Sequence, residues 1–176
     1  MDETFAEQAE TGQRYGTFRI HPPLLAGALL IAGLLLHLAF GQHRVFPFHQ
    51  FVGVLLVAAG TGLSSYAAAL FAARDTTKNP YGKPAAFVTA PPYTLTRNPM
   101  YIGLTGVLLG FAAFFGSPIM VLAPIIFAFV IDQIVIPQEE QTMARIHGEQ
   151  YQDYKNRIPR WLPLPSFLRR GLNAAA

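Results

Sequence analysis

The stretch FVGVLLVAAGTGLSSYAAALFAA, residues 51–73, decides the fold class, because it carries no charged side chain over 23 residues. A helix of this length is long enough to cross the hydrocarbon core of a bilayer, which is about 30 Å thick. Three further apolar stretches lie around it, at residues 24–40, 102–115 and 118–136. The sequence therefore predicts an all-α integral membrane protein with about four transmembrane helices.

The composition of the 176-residue chain agrees with this fold class. Hydrophobic residues make up 52% and charged residues only 13%, against roughly 25% charged residues in a soluble domain. The chain has too little polar surface to cover a soluble core of its size. We expect one membrane domain over residues 1–176, with a helical pair at 1–73 and a second half at 74–176 that contains the long polar segments.

The last two apolar stretches are separated only by Gly116-Ser117-Pro118, which predicts a tight helical hairpin. Gly103, Gly106 and Gly110 fall within the third predicted helix, where small residues allow helices to pack closely. Asp132 is the one Asp, Glu, Lys or Arg residue inside a predicted span. Intramembrane charges are costly and are functional by default, so Asp132 either reaches interfacial water or belongs to a site.

The basic residues predict the orientation, because short loops rich in Lys and Arg remain in the cytoplasm. Twelve of the 13 Lys and Arg residues fall on one predicted side, and only Arg44 falls on the other. Both termini are therefore predicted to be cytoplasmic. The net charge of +3 is explained by juxtamembrane residues that favour anionic lipid headgroups, and no nucleic acid partner is expected. The twelve are Arg14, Arg19, Arg74, Lys78, Lys83, Arg97, Arg145, Lys155, Arg157, Arg160, Arg169 and Arg170.

Several classes of site are excluded by residue type and spacing. The chain has no cysteine, so disulfides, thiolate metal sites and a cysteine nucleophile are ruled out. The five histidines show no HxxxH or HxxEH spacing, and we predict no metal. No G-x-G-x-x-G motif follows a predicted strand, so a Rossmann nucleotide site is not supported.

The first polar segment that could carry chemistry is the loop TTKNPYGKPAAFVTAPPYTLTRNPMYIG, residues 76–103. Its prolines fix the backbone, which favours an ordered irregular segment. Pro99 suits the first position of the third helix, with Asn98 as the N-cap. The positive end of that helix could bind an anion, but a structural turn and cap explain Arg97-Asn98-Pro99 equally well.

The second polar segment is the tail PQEEQTMARIHGEQYQDYKNRIPRWLP, residues 137–163. Glu139 and Glu140 are predicted to stand just past the end of the fourth helix, with the chain bending at Pro137. Tyr151 and Tyr154 share a helical stripe with Ile158, which predicts an amphipathic helix. Such a helix either rests on the membrane surface or closes a site.

Together these segments resemble the isoprenylcysteine carboxyl methyltransferase family and its bacterial and phospholipid-methylating relatives. The resemblance covers about the second half of the chain, and it rests on the order and spacing of its motifs around the hydrophobic hairpin. The motifs are Thr89, Pro92-Tyr93, Arg97-Asn98-Pro99-Met100-Tyr101-Ile102-Gly103, Glu139-Glu140, His147-Gly148, Tyr151, Tyr154 and Arg157-Ile158-Pro159.

The resemblance implies a cytoplasmic S-adenosylmethionine site and a lipid-like or isoprenoid acceptor that enters from the bilayer. Arg97 and Arg157 would act near the acceptor, and Glu140 would serve both catalysis and cofactor binding. The remaining cofactor residues implied by the motifs are Phe87, Val88, Thr89, Tyr93, Asn98, Tyr101 and Glu139.

Two departures from the family pattern narrow this expectation. Arg97-Asn98-Pro99 replaces the Arg-His-Pro of eukaryotic members, which favours a bacterial inner-membrane enzyme and weakens the case for a prenylated protein substrate. Pro91 replaces a usual glycine before Tyr93, which changes the local backbone hydrogen bonding.

The chemistry of the acceptor stays open at this point. A carboxylate acceptor could be oriented by an arginine, whereas an amine would need a proton acceptor such as Glu140. Two other functions compete with methyl transfer. A sterol-reductase-like oxidoreductase would bind a nicotinamide cofactor with the corresponding half of the chain, and a membrane scaffold would bind only lipid.

Overall fold

The computed structural model describes residues 20–40, 48–75 and 90–162, and within these ranges every regular element is helical. A 3₁₀ turn, Pro118–Val121, leads into the fourth helix, and a π turn, Ile131–Val135, joins the fourth helix to the fifth. The helices are α1 (Pro22–Phe40), α2 (His49–Asp75), α3 (Pro99–Phe114), α4 (Leu122–Val130), α5 (Ile136–His147) and α6 (Glu149–Arg157).

Three helical segments are long and apolar enough to cross a membrane: Pro22–Phe40, His49–Ala73 and Pro118–His147. The remaining apolar helix, α3, has 16 residues and contacts α1, α2 and α4. Large apolar side chains such as Leu35, Phe51 and Phe129 point outward and are exposed, as expected of a surface that faces lipid rather than water. The all-α membrane fold predicted from the sequence is confirmed.

Helices α2 and α3 run antiparallel and approach so closely that their glycines leave no room for a side chain. A Cβ added at Gly60 would lie 2.5 Å from the carbonyl oxygen of Gly103 and 2.8 Å from the nitrogen of Val107. A Cβ at Gly110 would lie 2.8 Å from the nitrogen of Val57. The predicted packing role is therefore confirmed for Gly103 and Gly110, but Gly106 has ordinary space, with its nearest neighbour at 3.7 Å.

The fourth apolar helix does not end at residue 136, so the prediction that Glu139 and Glu140 lie beyond its exit is wrong. The helix continues through the π turn into α5 and reaches His147. Pro137 lies in the first turn of α5, directly after the π turn. A proline lacks an N–H group and its ring clashes with the carbonyl four residues earlier. The wider π turn accommodates that clash, so the chain continues as a helix.

The apolar core lies between α1, α3 and α4. Leu108, Phe127 and Ile131 are almost completely buried there, and Tyr101 extends the same cluster toward the start of α3. At the opposite end of α3, the Nδ1 atom of His49 lies 3.1 Å from the carbonyl oxygen of Ala113 and 3.0 Å from that of Phe114. The core and this contact thus fix α3 at both ends, and the polar motif stands at its start.

Candidate active site

A cavity of about 670 Å³ lies at the end of the bundle where α1 and α3 begin and α2 ends. The apolar part of its wall includes Ile20, Ala68, Phe71 and Met100. The polar part combines residues of α3, α5 and α6 with residues of the segment before α3. The polar lining residues include Tyr93, Arg97, Tyr101, Glu139, Glu140, Tyr151 and Tyr154.

Glu140 is the centre of an ion-pair network in this wall, with only 7% of its surface exposed. Its Oε1 atom accepts a hydrogen bond from Arg97 Nη1 at 2.7 Å, and its Oε2 atom lies 3.0 Å from Lys155 Nζ. Arg160 adds two contacts to the same carboxylate at 3.3 Å. A buried carboxylate requires such partners, because its desolvation would otherwise be very costly.

Arg160 also reaches Asp132 in the π turn, where its Nη1 atom lies 3.2 Å from Oδ1. The Nε1 atom of Trp161 donates to the same oxygen at 2.8 Å. Partial burial opposes the charged form of Arg160, but its hydrogen bonds with Glu140 and Asp132 outweigh this and raise its pKa. Asp132 does not itself line the cavity, but Arg160 connects it to Glu140, which does.

The segment Ile158–Trp161, which we call the strap, is bound to the start of α3. The backbone N–H of Arg97 donates to the carbonyl of Pro159 at 2.9 Å. Two side chains, Thr96 Oγ1 and Asn98 Nδ2, donate to the carbonyl of Arg160 at 3.0 Å and 2.9 Å. Asn98 occupies the N-cap position as predicted, but it makes no side-chain cap bond to α3, because its amide is engaged by the strap.

Four tyrosines form hydrogen bonds or close ring contacts around the cavity. Tyr101 Oη donates to Glu139 Oε1 at 2.6 Å, and Tyr154 Oη donates to the carbonyl of Tyr93 at 2.7 Å. Burial, together with the nearby Tyr151, raises the pKa of Tyr154 to about 12. Burial also raises the pKa of Tyr93. Both phenols therefore stay protonated near neutral pH and act as hydrogen-bond donors.

Replacing Tyr154 with phenylalanine is expected to lower the free energy of unfolding by about 1–3 kcal/mol, because it leaves the buried carbonyl of Tyr93 without its donor. Thermal unfolding in detergent, followed by circular dichroism, measures the change. Tyr66→Phe is the matched control, since Tyr66 is 56% exposed on α2. It should change stability by no more than about 0.5 kcal/mol. Equal effects of the two variants would contradict the proposed role of the bond.

The structure brings together most of the residues that the sequence motifs single out. Tyr93, Asn98 and Tyr101 line the same cavity as Arg97, Glu139 and Glu140. Phe87, Val88 and Thr89 lie outside the described residues. Arg157 is exposed, and its Nε atom donates to the carbonyl of Asp153 on its own helix. Among the residues that the structure describes, Arg157 is not part of the cavity lining, so its role near the acceptor stays a prediction, whereas Arg160, three residues later, reaches Glu140.

Sequence reasoning missed the role of Arg160 and Trp161. One signal pointed toward them: Asp132, an ionisable residue in an apolar span, requires a polar partner. The partners lie 28 and 29 residues further along the chain, and no local pattern specifies such a pairing. Among residues 20–40, 48–75 and 90–162, no three His, Asp or Glu side chains cluster closely enough to hold a metal ion.

Comparison with known proteins gives the following similarities. The sequence profile of the phospholipid methyltransferase family matches residues 48–150, more than half of the chain. A methanethiol S-methyltransferase from Crocosphaera subtropica is 34% identical over 83 residues, which are 46% of this chain and 30% of that enzyme. An uncharacterized protein from Haemophilus influenzae is 36% identical over 63 residues, which are 36% of this chain and the whole of that protein. No solved structure matches the chain significantly.

Proposed function

Since the chain belongs to the phospholipid methyltransferase family, we propose that it transfers a methyl group from S-adenosylmethionine to a membrane-resident acceptor. The observation that carries the proposal is the convergence of Arg97, Tyr101, Glu139 and Glu140 on one cavity. These residues come from the two sequence motifs of the family resemblance, which are about forty positions apart. Their meeting in one wall favours a shared ligand over two unrelated structural turns.

The residues of the cavity suit S-adenosylmethionine. The volume of about 670 Å³ lies within the roughly 300–1,000 Å³ of small-molecule sites. Glu139 offers a carboxylate for a cationic or hydroxyl group, and aromatic faces such as Tyr151 suit a sulfonium or an adenine ring. Arg97 Nε is buried and has no hydrogen-bond acceptor within the described part of the chain, so it could bind the cofactor carboxylate.

In this proposal S-adenosylmethionine supplies an electrophilic methyl group, and the protein contributes alignment and exclusion of water. Alignment of two reactants can contribute about 7–11 kcal/mol in favourable cases. Tyr101 holds Glu139 in one orientation through their 2.6 Å hydrogen bond. A neutral amine or thiol acceptor could pass its proton to Glu139. Arg97, by contrast, already pairs with Glu140, which makes it a weaker candidate for orienting an acceptor carboxylate.

The apolar part of the cavity wall supports an acceptor that approaches from the bilayer. Ile20 lies just before α1, and Ala68 and Phe71 lie in the last turns of α2, so a lipid or isoprenoid chain could lie against them. With the cavity at the end where α1 begins, a cytoplasmic N-terminus would make the site cytoplasmic, in reach of soluble S-adenosylmethionine. We therefore propose a lipid headgroup or an isoprenoid carboxylate as the acceptor, in a bacterial inner membrane.

A small thiol is the second candidate acceptor. The observation in its favour is the 34% identity with a methanethiol S-methyltransferase. That match covers only 30% of the relative, so the thiol stands behind the lipid as a proposal. A thiol would need the same cofactor residues and would differ only in the group that meets the methyl.

The test is a calorimetric titration of the purified protein, in mild detergent, with S-adenosylmethionine and S-adenosylhomocysteine. We expect micromolar binding of both and a loss of at least about tenfold in Glu139→Gln, which keeps the shape but removes the charge. Asp153→Asn is the matched control, because Asp153 lies on the exposed face of α6. Its affinity should equal that of the wild type.

Two outcomes would contradict the proposal. Absence of binding by folded wild-type protein would exclude methyl transfer, and binding of a nicotinamide cofactor instead would favour the reductase alternative. Once binding is established, transfer of labelled methyl groups to a lipid extract or to a small thiol distinguishes the two acceptors.

A further inference from the structure

We propose that Arg160 is a positioning residue for this methyl transfer, held by Asp132 so that it fixes the Glu140 carboxylate in the wall of the cavity. The inference rests on the proposed function, because it assigns the geometry of the same site. Arg160 is not itself among the residues that line the cavity. It acts through Glu140, which does line the cavity.

The contacts of Arg160 form a bridge between two turns of the same long helix. Its Nε and Nη2 atoms each lie 3.3 Å from an oxygen of Glu140, so it contacts both oxygens of the carboxylate. Its Nη1 atom lies 3.2 Å from Asp132 Oδ1. A planar guanidinium in this arrangement restricts the rotation of a carboxylate, which a single flexible ammonium cannot do.

The other two cations of Glu140 cannot replace Arg160 in this task. Lys155 is a point charge on a flexible stem, and its side chain is 40% exposed. Arg97 contacts only one oxygen of Glu140, at 2.7 Å, and it lies on the cavity surface where the cofactor would bind. Within residues 20–40, 48–75 and 90–162, Arg160 is therefore the one cation that contacts both oxygens of Glu140 without lining the cavity.

Asp132 is oriented to hold Arg160 in place. The Trp161 Nε1 atom donates to Asp132 Oδ1 at 2.8 Å, and Gln133 Nε2 donates to Oδ2 at 2.8 Å. The strap is bound independently to the start of α3 through the carbonyls of Pro159 and Arg160. The backbone of Arg160 is thus fixed to one motif of the site and its side chain to the other, which couples the geometry of the two.

The experiment is a double-mutant cycle on the full-length protein, with S-adenosylhomocysteine as the probe. Arg160→Gln is expected to weaken affinity by at least about tenfold, and Asp132→Asn by a smaller factor. The double variant should be no weaker than Arg160→Gln, because Asp132 acts only through Arg160. Arg160→Lys should recover affinity only in part, since lysine keeps the charge but cannot span both oxygens.

Arg145→Gln is the control, because Arg145 is exposed on α5 outside the cavity wall. It should bind as the wild type does. A purely structural role would lower the melting temperature without changing the affinity of the folded fraction, so both are measured. If Arg160→Gln does not fold, Trp161→Phe and Asp132→Asn replace it, and both should weaken affinity.

The outcomes separate this inference from the proposed function. Wild-type affinity in folded Arg160→Gln, or in folded Asp132→Asn and Trp161→Phe, would overturn the positioning role and leave methyl transfer intact. Additive effects in the cycle would overturn it as well. Absence of binding by the wild type would overturn the proposed function, and this inference with it.

Discussion

Replacing Glu140 with alanine is expected to lower the free energy of unfolding by about 3–5 kcal/mol, because it leaves a buried charge without its partner. The charge in question is Arg97, whose side chain is only 10% exposed. Lys155 can turn to water and Arg160 keeps Asp132, so these two cations add little to the loss. Denaturant titration in detergent measures the change in stability, and calorimetry should find no S-adenosylhomocysteine binding.

A double replacement separates stability from binding at this site. Exchanging both Arg97 and Glu140 for leucine removes the unpaired charge, and such replacements of buried ion pairs are often neutral in stability. We expect the double variant to recover most of the stability lost in Glu140→Ala, yet to bind no cofactor. Recovery of binding along with stability would mean that the pair only supports the fold. Failure to recover stability would mean that Arg97 is not the charge responsible.

Replacing Gly60 with alanine is expected to destabilise the protein by about 1–3 kcal/mol, because overpacking forces well-packed elements apart. The nearest atoms to the new Cβ are backbone atoms, the oxygen of Gly103 at 2.5 Å and the nitrogen of Val107 at 2.8 Å. Rotamer changes cannot relieve these contacts, so α2 and α3 must separate. Since α3 begins at the active-site motif, cofactor affinity should fall together with stability.

Gly62, two residues along the same helix, is the matched control for this prediction. A Cβ at Gly62 meets no atom within 4 Å, and alanine favours a helix over glycine by up to about 1 kcal/mol. Gly62→Ala should therefore be neutral or stabilising in the same denaturant titration. The same chemical change is thus expected to destabilise the protein at Gly60 but not at Gly62, and equal destabilisation at both positions would contradict the close approach of the helices.

The helices could be predicted from the sequence because their signal is local. Uninterrupted apolar runs gave the starts and ends of α1 and α2 within two residues, and Pro99 marked the first residue of α3. The end of the fourth apolar helix could not be predicted in the same way. Loss of hydrophobicity after Ile136 and the presence of Pro137 both indicate an end, yet the π turn carries the helix eleven residues further, to His147.

Residues of the site could be predicted from the sequence only where they belong to the motifs of the family resemblance. Arg97 and Glu140 belong to those motifs, and they meet at 2.7 Å. The burial of Glu140 was not foreseen, because adjacent carboxylates near a helix end are ordinarily solvated. Its burial depends on Lys155 and Arg160, which come from two later segments of the chain. Such contacts depend on how α5 and α6 pack, which periodicity alone does not specify.

The π turn at Ile131–Val135 also changes how this helix should be read on a helical wheel. A single extra residue in an α-helix rotates everything after it by about 100°. A wheel drawn straight from Leu122 to His147 would therefore assign the wrong angular phase to Glu139 and Glu140. By the same reasoning, a homologue that lacks one residue at this point and continues as a regular α-helix would turn the equivalent carboxylates toward its cavity. Alignments of such sequences should place the gap within residues 131–135, so that the carboxylates stay in phase.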